Sequence, residues 1–282
     1  LIAERQFENA KSALKKGKNR GVAKEKLKAL TQKLVSVKAG SNVMRAPSQG
    51  EIQKLLNHYQ NGQYGDAEKL AISITEQFPE HQFTWKVLGV VLKQAGRISE
   101  SLVAGQKAVD LDPQDAAAHS NLGNTLRELK KLDEAEASCR QAIALVPDFA
   151  EAHSNLGRAL QQLGRLEEAE ASYTQAIALK PDSAEAHHNL GVTLQALERL
   201  DEAEASFTQA IALKPDYPEA HYNLGVTLQA LGKLDEAETS YKQAIALRPG
   251  YAEAHGNLGV TLQALARLDE AEASYKQAIA LR

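Results

Sequence analysis

One cysteine, one tryptophan and one methionine occur in a chain of 282 residues, and aromatics make up only 5% of it. The lone Cys139 excludes an internal disulfide and any zinc site built from several cysteines. No run of about 18 apolar residues is present, so no membrane-spanning helix is expected. No apolar stretch follows Leu1 and no secretory leader is visible, which places the expected location in the cytoplasm. The missing initiator Met is what a fragment or a processed chain would show. Neither G-x-G-x-x-G nor G-K-S/T occurs, so the usual phosphate cradles are missing. Glycine and proline, 18 and 8 residues, are spread at intervals, which excludes collagen and low-complexity disorder.

The net charge of −3 conceals a split. Residues 1–47 carry 12 Lys and Arg against Glu4, Glu8 and Glu25, while residues 48–282 carry 21 basic and 33 acidic residues. An acidic body behind a short basic segment is a poor reader of nucleic acid, and none is expected as a partner. The basic segment reads as a solvated helical face.

What the chain does have is repetition. Pro79, Pro113, Pro147, Pro181, Pro215 and Pro249 stand 34 residues apart, and the text between them recurs almost unchanged. Each unit reads as two amphipathic helices. In residues 184–217 the first carries Ala186, Leu190, Val192 and Leu194, and the second Ala203, Phe207, Ala210, Ile211 and Leu213. Asp182 with Glu185, and Asp201 with Glu204, have the spacing of capping boxes. Gly96, Gly164 and Gly232 mark the turn between the helices in three units, where Lys130, Glu198 and Ala266 stand in others. Gly89, Gly123, Gly157, Gly191, Gly225 and Gly259 fall inside the first helices. Such glycines imply close helix approach, with Ala135, Ala169, Ala203, Ala237 and Ala271 expected opposite five of them. One hairpin cannot bury its apolar face and stacked neighbours can. The expected fold is therefore all-α, a right-handed superhelical solenoid of stacked antiparallel helix pairs.

With the proline as position 32 of each unit, the second unit begins Trp85, Leu88, Gly89, and later units place His119, His153, His187, His221 and His255 at the Trp position. Position 24 is Cys139, Tyr173, Phe207, Tyr241 and Tyr275. This skeleton resembles the tetratricopeptide repeat (TPR), and the resemblance covers residues 48–282 as seven units, the first degenerate and the last incomplete. Lys54 and Leu55 replace Leu-Gly in the first. Residues 1–47 read as a basic helical hairpin and linker, with helices at 2–16 and 22–38, a turn at 17–21 and a linker at 40–50; such a hairpin suits a solubilising cap.

No catalytic constellation emerges, so the region is not expected to be an enzyme. The histidines recur one unit apart, about 10 Å, whereas zinc ligands lie about 2 Å from their metal, so packing explains them and neither a metal nor a cofactor is expected. Asn121, Asn155, Asn189, Asn223 and Asn257, at position 6 of five successive units, need another reason, because Asn is a mediocre helix former. An amide offers donor and acceptor, so a ladder of five could bond the backbone of an extended polypeptide. The series is similar to the repeat region of O-linked N-acetylglucosamine transferases and of repeat-linked bacterial sulfotransferases and glycosyltransferases, which implies docking of polypeptide for a longer transferase; a stand-alone adaptor is the alternative. The same resemblance puts Asn124, Arg127, Arg158, Gln161, Gln195, Tyr222, Gln229 and Gln263 in the groove. At the C-terminal end Tyr275, Ala278, Ile279 and Leu281 lack a following unit, so self-association through that helix is expected.

Overall fold

The computed structural model describes residues 46–281. The expected hairpin at 2–16 and 22–38, its turn at 17–21 and the start of the linker at 40–50 lie outside the described residues, as does Arg282. Among the described residues there are fourteen helices and no strand. The first helices of the seven pairs are α1 (Gln49–Gln60), α3 (Gln82–Gln94), α5 (Ala116–Glu128), α7 (Ala150–Gln162), α9 (Ala184–Ala196), α11 (Pro218–Ala230) and α13 (Ala252–Ala264). The second helices are α2 (Tyr64–Gln77), α4 (Ile98–Leu111), α6 (Leu132–Leu145), α8 (Leu166–Leu179), α10 (Leu200–Leu213), α12 (Leu234–Leu247) and α14 (Leu268–Ala280). Each helix packs against the next in sequence, and from α3 onward each first helix also touches the first helix of the following pair. Second helices make no comparable contact with one another. The solenoid therefore curves with its first helices on the inner side.

The tight turn inside each pair has the geometry that the glycines indicate. Gly96, Gly164 and Gly232 have φ of 75°, 76° and 76°, and Gly62 does the same in the first pair with 71°. Lys130, Glu198 and Ala266 adopt the same left-handed conformation at 61°, 60° and 60°. For a residue with a Cβ this costs roughly 1 kcal/mol more than for glycine, so stacking of the pair sets the turn whatever residue occupies it.

Two local expectations are corrected. The Asp-x-x-Glu capping boxes do not form: Ser183 caps α9 by accepting from the Ala186 amide at 3.3 Å, and Asp201 lies in the first turn of α10 behind Arg199. The helix starts one residue later than the Asp182 reading requires, and the carboxylates near these termini favour them through the helix dipole. A capping box does form at α1, where Ser48 and Glu51 exchange hydrogen bonds. The second correction concerns what faces the glycines. A Cβ on Gly157, Gly191, Gly225 or Gly259 would lie 2.6–2.7 Å from the ring of Tyr173, Phe207, Tyr241 or Tyr275, so position 24, rather than the alanine, supplies the closest neighbour. At Gly123 that neighbour is Cys139 Sγ at 2.5 Å. The first pair reverses the sizes, with Leu55 at the glycine position and Ala71 at the aromatic one, both fully buried in one cluster. Its apparent degeneracy is thus a compensated exchange of large and small.

The histidines do more than pack. Nε2 of His119, His153, His187, His221 and His255 bonds the carbonyl of Pro113, Pro147, Pro181, Pro215 and Pro249 at 2.9–3.1 Å. Trp85 Nε1 donates to Pro79 in the same way at 2.8 Å. Each bond ties the start of a first helix to the linker before it. A second ladder joins the pairs along the second helices. Arg165, Arg199, Lys233 and Arg267 reach Glu136, Glu170, Glu204 and Glu238 of the preceding pair at 2.6–2.7 Å, and Arg97 reaches Glu68. These pairs are partly exposed and salt screens them. At the far end Ala278 is covered within its own pair and Tyr275 partly so, while Ile279 is 73% exposed and Leu281 41%.

Candidate binding groove

The asparagines sit on the inner helices, and three of the five already have work there. Asn155, 1% exposed, donates through Nδ2 to Ser120 Oγ at 2.9 Å and accepts from Arg158 Nη2 at 2.6 Å. Asn223 Nδ2 donates to His188 Nε2 at 3.0 Å, and Asn257 Nδ2 to the Tyr222 hydroxyl at 3.1 Å. In every case the partner is position 5 of the preceding unit, so the amide clasps one repeat to the next. Asn189 departs from this rule. Its partner would be Ser154, no such bond forms, and its Nδ2 is buried without a hydrogen-bond partner. Its Oδ1 lies 3.3 Å from His188 Nδ1. Since His188 Nε2 accepts from Asn223, Nδ1 carries the proton and the ring is neutral; burial also holds its pKa below the usual histidine value. Asn121 lies beside Lys86, Lys93 and Thr125 in a narrow cleft.

Cations follow one another along the early groove. Arg127 donates to Asn124 Oδ1 at 3.0 Å and stands 3.5 Å from Glu128, and Arg158 donates to Glu185 at 2.9 Å. The Nε atoms of both are buried with no hydrogen-bond partner. Lys93 is held below its ordinary pKa, first by burial and then by Arg158 and Arg127 against the pull of Glu128. The glutamines are oriented from behind: Gln161, Gln229 and Gln263 accept at Oε1 from the hydroxyls of Tyr173, Tyr241 and Tyr275 at 3.2, 3.0 and 2.9 Å. Gln195 faces Phe207 at the equivalent place, which has no hydroxyl to offer.

A set of residues that the sequence reading passed over closes the junctions between pairs. Position 34, just before each first helix, meets position 5 of the same 34-residue unit, on the first helix of the preceding pair. Lys86 pairs with Asp115 at 2.6 Å. His188 and Tyr217 have ring centroids 4.9 Å apart, as do Tyr222 and Tyr251, with Lys214 and Arg248 4.8 Å from the centres of the two tyrosine rings. Phe149 packs with Ala116, Ala142 and Ala152. Between the fourth and fifth pairs both positions are serine, Ser154 and Ser183, and a cleft of about 270 Å³ opens there. Arg158, Lys180, Glu151 and Glu185 line it together with Ala150, Ala176 and Ala186. The signal is present in the sequence as a change of residue type at a fixed period, but nothing local identifies position 34 as a groove residue.

Among the described residues no group of three His, Cys, Asp or Glu side chains could hold a metal, and no helix is long and apolar enough to cross a membrane. Cys139 is fully buried, and burial pushes its thiol up to about 12.

Comparison with known proteins follows the same periodicity. Models described as TPR repeat match residues 123–164 and 157–198, and models described as tetratricopeptide repeat match 53–116, 104–137, 182–249 and 216–282, tiling the chain without a gap from residue 53. Among curated proteins, none is similar enough to count as a relative. Among solved structures, the chain resembles one from the APC/C hetero-tetramer Cut9–Hcn1 with a TM-score of 0.71 at 19% identity, covering 91% of this chain and 49% of that one. A thermophilic TPR protein of Thermus thermophilus is 27% identical with a TM-score of 0.54, over 64% of this chain and 99% of that one. YrrB, described as a TPR protein with an unusual peptide-binding site, is 23% identical with a TM-score of 0.51, over 65% of this chain and 95% of that one. With its repeats, its helix pairs and these matches in agreement, the chain belongs to the tetratricopeptide repeat family.

Proposed function

We propose that the inner groove binds extended polypeptide and that the chain acts as a protein-interaction scaffold. One observation carries this reading. The three buried side-chain atoms without a hydrogen-bond partner among the described residues, Arg127 Nε, Arg158 Nε and Asn189 Nδ2, lie on the inner helices α5, α7 and α9 of three successive pairs. Each is a donor, and a buried unpaired donor costs about 1–3 kcal/mol. Arg158, which carries one of them, also lines the open cleft between the fourth and fifth pairs, so a polypeptide in the groove meets that side chain. The peptide-binding site named for YrrB is consistent with such a use of the fold. Docking substrate for an attached transferase has no support from the comparisons, and an adaptor is enough to account for the groove.

Selection of peptides from a random library against the whole chain tests this reading. Substituting Asn124→Ala, Gln195→Ala and Gln263→Ala together should weaken the selected peptides at least tenfold, since each lost contact contributes about 0.5–1.5 kcal/mol. Lys242→Ala, on the second helix α12, should leave them unaffected. Equal affinity for parent and groove variant would reject the groove as the site.

A further inference from the structure

The junction between the fourth and fifth pairs has the walls of its neighbours and lacks what they enclose. In the junction before it, Phe149 packs against Ala116, Ala142 and Ala152. The residues one unit later, Ala150, Ala176 and Ala186, line the cleft of about 270 Å³. In the two junctions after it, the rings of Tyr217 and Tyr251 lie against those of His188 and Tyr222, and Lys214 and Arg248 sit 4.8 Å from the two tyrosine ring centres. The equivalent cation here is Lys180, which lines the cleft, while Ser183 and Ser154 stand in place of both rings. The remaining charges on the wall select no ion. Arg158 and Glu185 bond to one another at 2.9 Å, and Glu151 balances Lys180, so two cations face two carboxylates.

We infer that this cleft is a subsite for an aromatic side chain of the bound polypeptide. A cavity of about 150 Å³ takes up benzene, so the cleft has room for one ring. Its alanines supply the apolar floor that Phe149 uses one unit earlier. Lys180 supplies the cation that Tyr217 and Tyr251 meet in their junctions, which favours an aromatic ring over a saturated one of the same size. Neighbouring junctions hold a phenylalanine once and a tyrosine twice, so the ring is selected and its substituent is not. The inference rests on the groove reading, which supplies the polypeptide that carries the ring.

The test uses N-acetylphenylalanine amide as the probe and N-acetylcyclohexylalanine amide as its saturated control, with methyl NMR of the whole chain. The phenylalanine probe should shift the methyls of Ala150, Ala176 and Ala186 and bind more tightly than the control. Lys180→Met keeps the length of the side chain and removes its charge. It should weaken the phenylalanine probe about twofold to fivefold, as expected for one exposed cation–π contact, and leave the control unchanged. Ser183→Tyr should close the cleft with the chain's own ring and abolish both sets of shifts. Tyr217 and Tyr251 already precede their helices at that position, so the variant should fold, which its circular dichroism checks. Equal binding of the two probes, shifts confined to other alanines, or undiminished shifts in folded Ser183→Tyr would overturn the subsite. A library-selected peptide that binds this variant as it binds the parent would reject the subsite and leave the groove reading standing. Probe binding as expected with no peptide bound anywhere would uphold the cleft as a ring site and reject the groove.

Discussion

At position 6 the same side chain faces two different balances of partners. Asn155 holds both Ser120 and Arg158, so Asn155→Ala should strand two buried groups and cost about 1–3 kcal/mol. Asn189→Ala removes an amide whose Nδ2 has no partner and whose one bond is to His188 Nδ1, so it should cost less than Asn155→Ala. Thermal melting of the two variants side by side checks the contrast, and equal losses would contradict it. A second test at this scale uses the exchange of sizes found between Leu55 and Ala71. Gly191→Leu drives a side chain into the Phe207 ring and should cost about 1–3 kcal/mol or more. Adding Phe207→Ala should recover part of that loss, so the double variant should melt above Gly191→Leu alone. Additive losses in the double-mutant cycle would show that the two positions do not share one space.

At the scale of a helix pair, the bond from position 4 to the preceding proline carbonyl depends on a ring N–H and tolerates either ring that offers one. His187→Trp should therefore be close to neutral, and His187→Ala should cost about 0.5–1.5 kcal/mol, both read from thermal melting. A trio of equal melting temperatures would remove the tether from the account. This bond also marks where the sequence becomes hard to read. The pairs, their turns and the inner glycines follow from period and composition, because 34-residue identity leaves little freedom for anything but stacking. Partners across the stack do not follow so easily. His187 reads as a packing residue until Pro181 is placed beside its Nε2, and the alanine expected opposite Gly191 gives way to Phe207 once helix crossing is known. The asparagines stand out as unusual in the sequence, yet their bonds run 35 residues back to a position that varies from unit to unit. Ser183 carries the least signal, since a serine before a helix reads as a cap, which it also is.

For the whole molecule, the last pair presents the surface that every earlier pair uses for its successor. Ile279 is 73% exposed, whereas its counterpart Ile245 is half-buried. Appending a copy of residues 249–281 after Arg282 continues the 34-residue frame and should cover Ile279. About 1 kcal/mol gained this way should raise the melting temperature by about 2–4 °C in a chain of this size; an unchanged or lower midpoint would speak against nearest-neighbour stacking as the source of stability. The serine pair at the fourth junction has a consequence of a different kind. Successive inner helices are spaced by about 10 Å and an extended polypeptide advances about 3.3–3.6 Å per residue, so each junction meets about every third residue of a ligand. The stack then works as a ruler graduated in triplets, with one notch cut and the next two filled by Tyr217 and Tyr251. A side chain that suits the open notch misses it when moved by a single residue along such a ligand, and arrives at a filled one when moved by three.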